Sequence, residues 1–331
     1  MKFVIAGLGS VGRRHLQNLM TLGEHDILLY RTDHSTLPDE ELKEFPVETN
    51  LESALAQSPE AVIVSNPTAL HMDVAIPAAE AGCHIFLEKP ISHSLDQIEE
   101  FRSIIEHGGV KVLVGYQFRF HPGLQNIRRL IFDGAIGRPL SVRAHWGEYL
   151  PDWHPWEDYR QSYSSRADLG GGVILTLSHP IDYLRWLLGE ITEVWAFTSQ
   201  SKELKVDVED TAEIGFRFKG GALGSLHLDY YQRPPDHHLE IVGVNGSIQW
   251  NYADGVIKVY RLKDQKWHTY PSPRDFERND MFLAQMKHFL DVIRGHAEPE
   301  CTFEDGVKAL QIILAAHKSQ SEGKTVQLPI L

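Results

Sequence analysis

Residues 3–12 read FVIAGLGSVG, an apolar run that leads directly into the glycine spacing G-x-G-x-x-G. Apolar residues then recur at helical spacing until Gly23. A strand, a tight turn and a helix in this order indicate a dinucleotide-binding site. The first glycine permits the turn, the second lets the backbone approach a pyrophosphate, and the third allows helix and strand to pack closely. The residues predicted to contact the cofactor here are Gly7, Leu8, Gly9, Ser10, Val11 and Gly12.

The composition is that of a globular protein with an excess of acidic residues. The chain has 331 residues, enough for about two domains, and its 45 acidic and 32 basic residues give a net charge of −13. Nucleic acid is therefore not expected as the main partner, because phosphate binding needs a basic face. No apolar run approaches the ~20 residues of a membrane span, and Cys83 and Cys301 suggest neither a disulfide framework nor a zinc ribbon. We expect a cytoplasmic protein without a secretory leader, a membrane segment or a metal.

The end of the second predicted strand, residues 27–30, is expected to contact the adenosine ribose. NAD-specific sites place Asp or Glu there, whereas NADP sites lack that acid and offer Arg. The chain reads Tyr30-Arg31-Thr32-Asp33, so Arg31 can pair with a 2′-phosphate and Thr32 can hydrogen-bond to it. These residues favour NADP. Asp33 keeps NAD as the alternative if the strand ends later than expected.

Strands and helices alternate through the first 118 residues, which predicts a doubly wound parallel sheet. Polar residues follow its strands at the carboxyl ends, where ligands bind in such sheets. Asn66-Pro67-Thr68 follows the strand 61–65, and Lys89-Pro90 follows the strand 84–88. A Lys in this place lies near the nicotinamide end of the fold, where it can stabilise an alkoxide or relay its proton. The alternative is a surface Lys that pairs with Glu88.

The second half of the chain predicts a different kind of domain. Residues 149–169 form an irregular stretch rich in aromatic residues, in which Trp153 suits the apolar face of a sugar and Arg160 and Arg166 can bind an anionic substrate group. The alternative is a surface loop packed by its aromatic residues, with solvated arginines. From residue 191 the apolar period becomes two, which predicts an antiparallel sheet. We expect a Rossmann domain over residues 1–118 and an α+β domain with an open, mostly antiparallel sheet over residues 119–331.

Several acidic and histidine side chains in the predicted sheet could suggest a metal site. They are His227, Asp229, His237 and His238. The alternation of side chains along a strand explains them more simply, so we expect no metal there.

Several motifs together resemble those of the Gfo/Idh/MocA family of nicotinamide-dependent sugar and cyclitol oxidoreductases. They are the stretches 7–12, 65–68 with His71, 82–90, 115–120 with Pro122, 170–172 followed by 179–182, and 209–212. The resemblance covers essentially the whole chain. It implies hydride transfer between NADP or NAD and a secondary hydroxyl or keto group of a sugar, sugar acid or cyclitol, and a homodimer or homotetramer formed through the C-terminal sheet.

The resemblance also implies roles for single residues. The Lys of Glu-Lys-Pro and the His after the triple glycine are catalytic in the family, which points to Lys89 and His179. Further cofactor contacts are expected at Asn66, Pro67, Thr68, His71, Glu88, Lys89 and Gln117. Substrate contacts are expected at Arg119, Trp153, Arg160, Arg166, Thr176 and His179.

The chain departs from the family pattern at one position. The family usually has an Asp one turn before the catalytic His, and this chain has Thr176, which can hydrogen-bond but cannot act as a base. Asp182 lies three residues after His179 and is expected either to take part in catalysis by orienting it or to serve as a cap or ion-pair partner. Two other functions stay open on this ground: an NAD-dependent glycosidase of the same fold, and a non-catalytic NADP-binding regulator.

Overall fold

The computed structural model describes residues 1–32 and 40–329 and divides into two compact units. Unit 1 contains Met1–Gln117, Asp168–Gly170 and Arg278–Leu310. Unit 2 contains Phe118–Ala167, Gly171–Glu277 and Gln311–Leu331. The first division falls within a residue of the expected boundary. The expected C-terminal domain of residues 119–331 is not one unit, because residues 278–310 cluster with unit 1.

The strands and helices have the following bounds. The strands are β1 (Lys2–Ala6), β2 (Asp26–Tyr30), β3 (Val47–Glu48), β4 (Ala61–Val64), β5 (His84–Leu87), β6 (Val112–Val114), β7 (Pro139–Gly147), β8 (Ile191–Ser199), β9 (Thr211–Phe218), β10 (Leu223–Asp229), β11 (Asp236–Gly243), β12 (Gly246–Asn251), β13 (Ile257–Arg261), β14 (Lys266–Tyr270) and β15 (Val326–Gln327). The helices are α1 (Ser10–Thr21), α2 (Leu51–Leu55), α3 (His71–Glu80), α4 (Ile98–Gly108), α5 (Pro122–Phe132), α6 (Val173–Thr176), α7 (His179–Leu188), α8 (Arg278–Ile293) and α9 (Phe303–Glu322). Within the described ranges, no helix is long and apolar enough to cross a membrane.

Unit 1 is built on a parallel sheet with the strand order β3-β2-β1-β4-β5-β6 over its described residues. Its central strands are continuous apolar runs with no exposed surface at Phe3–Ala6 and 61–64, as expected when helices cover both faces of a sheet. The order reverses between β1 and β4, so the crevice that binds ligands in such sheets opens at the carboxyl ends of these two strands. The predicted Rossmann fold is confirmed.

Helix α8 joins unit 1 because its apolar side packs against that unit's core. Phe289 stands edge-on to Phe86 of β5, with ring centroids 5.5 Å apart, and Phe289 has no exposed surface. Phe282 lies two turns earlier on the same side of α8 and contacts the ring of His15 on α1. Aromatic pairs of this kind add to the free energy gained from burial. Order along the chain does not reveal this contact, because about 200 residues separate α8 from β5.

Unit 2 contains a sheet with the order β14-β13-β12-β11-β7-β10-β9-β8-β15 in the part of the chain that the structure describes. Strands β7 and β10 pair in parallel, and the other neighbouring strands pair antiparallel. The predicted mostly antiparallel sheet is confirmed. Val142, Ala144 and Trp146 of β7 are buried on the inner face, whereas Arg143 and His145 alternate with them on the outer face.

Residues 173–188, which follow the triple glycine, form two helices rather than one. Helix α6 ends at Thr176 and helix α7 begins at His179. Pro180 explains the break, because a proline within a helix lacks the N–H donor and its ring clashes with the carbonyl four residues earlier, here that of Thr176. At the start of α7, where Pro180 stands, both effects are tolerated. The break makes His179 the first residue of a new helix.

Candidate active site

The glycine turn of unit 1 has the geometry that its spacing predicts. Gly7 has a φ of +94°, and a Cβ there would lie 2.4 Å from the backbone nitrogen of Asn66. A Cβ on Gly12 would lie 1.9 Å from the carbonyl oxygen of Gly7. By contrast, a Cβ on Gly9 would meet no atom of the described chain within 4 Å. Gly7 and Gly12 therefore permit close packing, while the space beside Gly9 fits an approaching pyrophosphate.

The start of helix α1 suits an anion. Its N-cap residue is Gly9, so no side chain caps the first backbone N–H groups. The first turn of α1, which the structure describes, contains no acidic residue. The backbone N–H groups at a helix start and the helix dipole both favour negative charge. The turn is fixed from behind by the buried Arg13, whose Nε donates to the carbonyl oxygen of Leu8 at 3.0 Å. Ser10 and Val11 are the first residues of the helix.

The segment after β4 completes this edge of unit 1. The Ser65 hydroxyl donates to the Gly7 carbonyl at 2.9 Å, and the Asn66 side chain donates to the Leu70 carbonyl at 2.8 Å. The His71 Nε2 lies 3.0 Å from the Asn66 carbonyl oxygen. Burial lowers the pKa of His71 to about 4, against the opposing charge of Glu88. Pro67 and the buried Thr68 begin the short helical turn between these residues.

Arg31 and Thr32 lie at the end of β2, next to the glycine turn. Tyr30 is paired in register with Ala6, so Arg31 follows β2 at the level where Gly7 follows β1. The Arg31 backbone N–H donates to the Glu48 carbonyl at 3.0 Å, and Thr32 is exposed. Asp33, which left NAD open, lies outside the described residues.

Lys89 is the second residue after β5, which pairs with β4, and it is half-buried. Burial lowers the pKa of Lys89 to about 8, with the charge of Glu88 opposing the shift and Arg278 adding to it. Glu88 is also predicted to contact the cofactor, and its carboxylate has partners inside unit 1. Oε1 lies 2.7 Å from His15 Nε2, and Oε2 accepts from the Lys89 backbone N–H at 3.2 Å. Gln117 is buried, and its N–H donates to the Gly115 carbonyl at 3.1 Å.

His179 is enclosed by aromatic rings of unit 2. It is 4% exposed, and its ring stacks on Trp146 with centroids 5.6 Å apart and an interplanar angle of 25°. Phe118 closes another side at 5.0 Å. These rings fix the plane of the imidazole. Sequence reasoning missed both aromatic residues, although the alternation of β7 placed Trp146 on the buried face.

Arg119 and Asp182 form a buried ion pair. Arg119 Nε lies 2.9 Å and Nη2 2.6 Å from the two Asp182 oxygens, and the side chains are 2% and 1% exposed. Of the two roles considered for Asp182, this geometry matches the ion-pair partner. Arg119 is predicted to bind substrate. Its two contacts with the Asp182 carboxylate link α7 to the segment before α5, inside unit 2.

Thr176, the residue in place of the family Asp, lies beside Tyr230. Both side chains are buried. Burial raises the pKa of Tyr230 well above its usual value, and a hydrogen bond with Thr176 acts in the opposite direction. The Tyr230 hydroxyl donates to the Ser164 carbonyl at 3.3 Å, and the Trp153 ring stands edge-on to it at 5.5 Å. Tyr230 is thus a shared neighbour of Thr176 and Trp153.

The loop arginines differ in their surroundings. Arg160 makes a forked contact with Asp158, two residues away, at 2.8 Å for each nitrogen, so it is already paired with a carboxylate. Arg166 is exposed, and its carbonyl accepts from Gly171 at 2.9 Å. The glycines that follow permit a close approach of neighbouring segments. A Cβ on Gly172, at a φ of +109°, would lie 2.5 Å from the Glu209 carboxylate, which accepts from the Ile174 N–H at 3.2 Å at the start of α6.

The histidines of the C-terminal sheet do not converge on a metal. Across the described residues, no group of three or more His, Cys, Asp or Glu side chains has the arrangement to hold an ion. His237 is buried on the inner face, and its neighbour His238 lies on the outer face. His227 and His238 stack on either side of His145, with centroids 4.9 Å and 5.1 Å apart. Alternation along β11 places His237 and His238 on opposite faces of the sheet.

The strand order of unit 1, the glycine turn and the open start of α1 define a dinucleotide-binding α/β protein. Comparison with known families agrees. The family described as "Oxidoreductase family, NAD-binding Rossmann fold" matches residues 1–116, and the GFO/IDH/MocA C-terminal domain matches residues 124–249. The chain belongs to the Gfo/Idh/MocA family and is an NAD(P)-dependent oxidoreductase.

Full-length relatives have related names. The myo-inositol 2-dehydrogenase of Thermotoga maritima is 29% identical, over 99% of this chain and 98% of the relative. The scyllo-inositol 2-dehydrogenase (NAD(+)) of Bacillus subtilis is 28% identical, over 100% of this chain and 97% of the relative. Among solved structures, a levoglucosan dehydrogenase in complex with NADH and levoglucosan has a TM-score of 0.89 at 21% identity, with 100% of both chains covered. The structural likeness supports the fold over the whole length.

Proposed function

We propose that this protein transfers hydride between NADP and a secondary hydroxyl or keto group of a sugar, sugar acid or cyclitol. The observation that carries the proposal is the half-buried ammonium of Lys89 at the carboxyl end of β5, two strands from the glycine turn of β1. The names of the inositol and levoglucosan dehydrogenases support the substrate class. A nicotinamide cofactor supplies the hydride acceptor or donor.

The side chains have separate tasks in this proposal. In the oxidative direction His179 removes the hydroxyl proton as general base, held in one plane by Trp146. The Lys89 ammonium donates a hydrogen bond to the alkoxide oxygen and stabilises its charge. The residues proposed to hold the cofactor are Gly7, Leu8, Gly9, Ser10, Val11, Gly12, Arg31, Thr32, Asn66, Pro67, Thr68, His71, Glu88, Lys89 and Gln117.

The substrate contacts follow from the surroundings of each residue. Thr176 and Trp153 provide an uncharged, partly aromatic surface that suits a polyol. Arg166 is proposed to bind an anionic group, and Arg160 can do so only by leaving Asp158. Arg119 and Asp182 act as positioning residues, because their buried pair holds the first turn of α7, which carries His179.

The test of the function is nicotinamide absorbance at 340 nm during incubation with neutral sugars, sugar acids, sugar phosphates and inositols. We expect absorbance to rise with one group of polyols when oxidised cofactor is supplied. No change with every substrate, together with demonstrated cofactor binding, would contradict the dehydrogenase and favour the glycosidase or the regulator.

The same assay tests the proposed preference for NADP. A guanidinium at the ribose edge pairs with a 2′-phosphate, so kcat/KM is expected to be higher with NADP than with NAD. Arg31→Ala should remove this preference while changing the NAD reaction little. A protein that prefers NAD, and whose preference Arg31→Ala leaves in place, would point to Asp33 instead.

We propose that a second copy of the chain covers the outer face of the C-terminal sheet, in a homodimer or a homotetramer. Trp195 and Phe197 of β8 are 42% and 68% exposed and contact each other on this face, and exposed aromatic clusters mark interfaces. Phe197→Asp should raise the dissociation constant of the assembly at least about tenfold in sedimentation equilibrium. Phe132→Asp, at a 91% exposed helix end, is the control and should leave it unchanged. A wild-type protein that is monomeric in solution would refute the proposal.

The cytoplasmic location of the protein stays a prediction.

A further inference from the structure

A buried histidine on α1 contacts the residue that precedes Lys89. His15 lies three residues after Gly12, has no exposed surface, and places Nε2 2.7 Å from Glu88 Oε1. Its ring packs against Phe86 at 4.7 Å and Phe282 at 6.4 Å between centroids. The contact therefore joins the first helix of the dinucleotide fold to the end of β5.

The hydrogen-bond pattern defines which nitrogen carries the hydrogen. An ionised carboxylate only accepts, so Nε2 of His15 donates to Glu88. The other nitrogen, Nδ1, is buried and has no hydrogen-bond partner among the described residues.

The Glu88 carboxylate is held from three sides. Besides His15, it accepts from the Lys89 backbone N–H at 3.2 Å. Gly115 closes the third side, since a Cβ there would lie 2.9 Å from Oε2. Burial acts to raise the pKa of Glu88, but the hydrogen bond and charge of His15, followed by Lys89, hold it below its usual value.

We propose that His15 is a positioning residue for Lys89: its hydrogen bond keeps the Glu88 carboxylate ionised, and that carboxylate keeps the Lys89 side chain an ammonium. The inference rests on the proposed catalytic role of Lys89. Helix α1 would then serve both parts of the site: its first turn faces the cofactor, and His15 on its buried face acts on Lys89 through Glu88.

The charges that face Lys89 show why a carboxylate is needed. Burial and the Arg278 guanidinium on α8 both disfavour the ammonium, and the charge of Glu88 opposes them. His71 on α3 also faces Glu88, and burial lowers its pKa to about 4, so it is neutral near pH 7 and supplies no charge. Among Glu88, Arg278 and His71, it is therefore the charge of Glu88 that favours the Lys89 ammonium.

The test measures the titration of Lys89 in the full-length protein. The rate of acetylation of its amine by acetic anhydride, read by mass spectrometry of the Lys89 peptide from pH 6 to 10, gives its midpoint. We expect His15→Leu to lower this midpoint by about one pH unit and to lower kcat/KM at pH 9 roughly tenfold. His15→Gln retains a donor and should restore most of the wild-type midpoint. Phe282→Leu alters packing around the imidazole without removing the donor and should leave the midpoint in place.

The inference and the function fail in different ways. An unchanged Lys89 midpoint in His15→Leu would overturn the inference, whatever happens to activity. If His15→Leu does not fold, Glu88→Gln provides the same test, because it removes the carboxylate charge at nearly constant volume; an unchanged midpoint there is equally decisive. A midpoint that shifts as expected, in a protein whose Lys89→Met variant keeps its activity, would uphold the contact and refute the proposed role of Lys89.

Discussion

Replacing Lys89 by Met is expected to lower kcat about a hundredfold to ten-thousandfold, since the variant loses the donor that stabilises the alkoxide. Met has a similar length and removes a charge that is costly to bury, so the fold should tolerate it. The dissociation constant of the cofactor should change only a few-fold. Steady-state kinetics and cofactor fluorescence titration measure the two quantities separately. Equal losses in turnover and cofactor binding would refute the assigned role.

Two further variants sharpen this result. Because the pKa of Lys89 is about 8, a reaction that needs the ammonium should lose rate as the pH rises above that value. Lys89→Arg keeps a positive charge throughout this range, so its residual activity should lack the alkaline decline. Lys111→Met replaces an exposed lysine of unit 1 and is expected to match the wild type in rate and pH profile.

Gly12→Ala is expected to have the largest effect on the fold. The added Cβ would lie 1.9 Å from the Gly7 carbonyl oxygen and 2.8 Å from Ser65 Oγ. The first contact is with backbone, so no side-chain rotation relieves it, and α1 must move away from β1. We expect a loss of about 3 kcal/mol in the free energy of unfolding, or roughly 6–12 °C in Tm, and loss of measurable cofactor binding. Calorimetry and cofactor titration check both effects.

Gly9→Ala is the matched control in the same turn. A Cβ there meets no atom of the described chain within 4 Å, so the free energy of unfolding should change by less than about 1 kcal/mol. The methyl group would still enter the space proposed for the pyrophosphate, and cofactor affinity should fall. A Gly12→Ala protein as stable as Gly9→Ala would mean that helix and strand are not packed as the structure has them.

Local signals predicted the features whose partners are near in sequence. Thr302 and Asp305 form a capping box: the Thr302 N–H donates to the Asp305 carboxylate at 3.0 Å, and the Asp305 N–H donates to the Thr302 hydroxyl at 3.1 Å. The similar pattern at Ser94 does not form a cap. Its hydroxyl bonds to Asp96, and α4 begins only at Ile98, because a nearer acceptor and donor compete for the same side chain.

The sequence also contains a pattern that indicates a buried histidine near the candidate site. Val11, His15 and Leu19 are spaced four apart, so they lie on one face of α1. A histidine on an apolar face predicts a buried imidazole that needs a partner. Pro180 was a second such signal, since it predicts that a helix starts near His179 rather than at Val173.

The sequence by itself determined the dinucleotide fold and its glycine turn, because a turn, a helix start and the period of a strand depend on residues within one or two turns of each other. Only the tertiary structure decided which charges are paired. His15 meets Glu88 across 73 residues and Arg119 meets Asp182 across 63, and α8 packs on the N-terminal unit although it belongs to the C-terminal part of the chain. The energy of such pairs depends on burial and on distances of a few ångströms. Neither quantity exists until distant segments have come together.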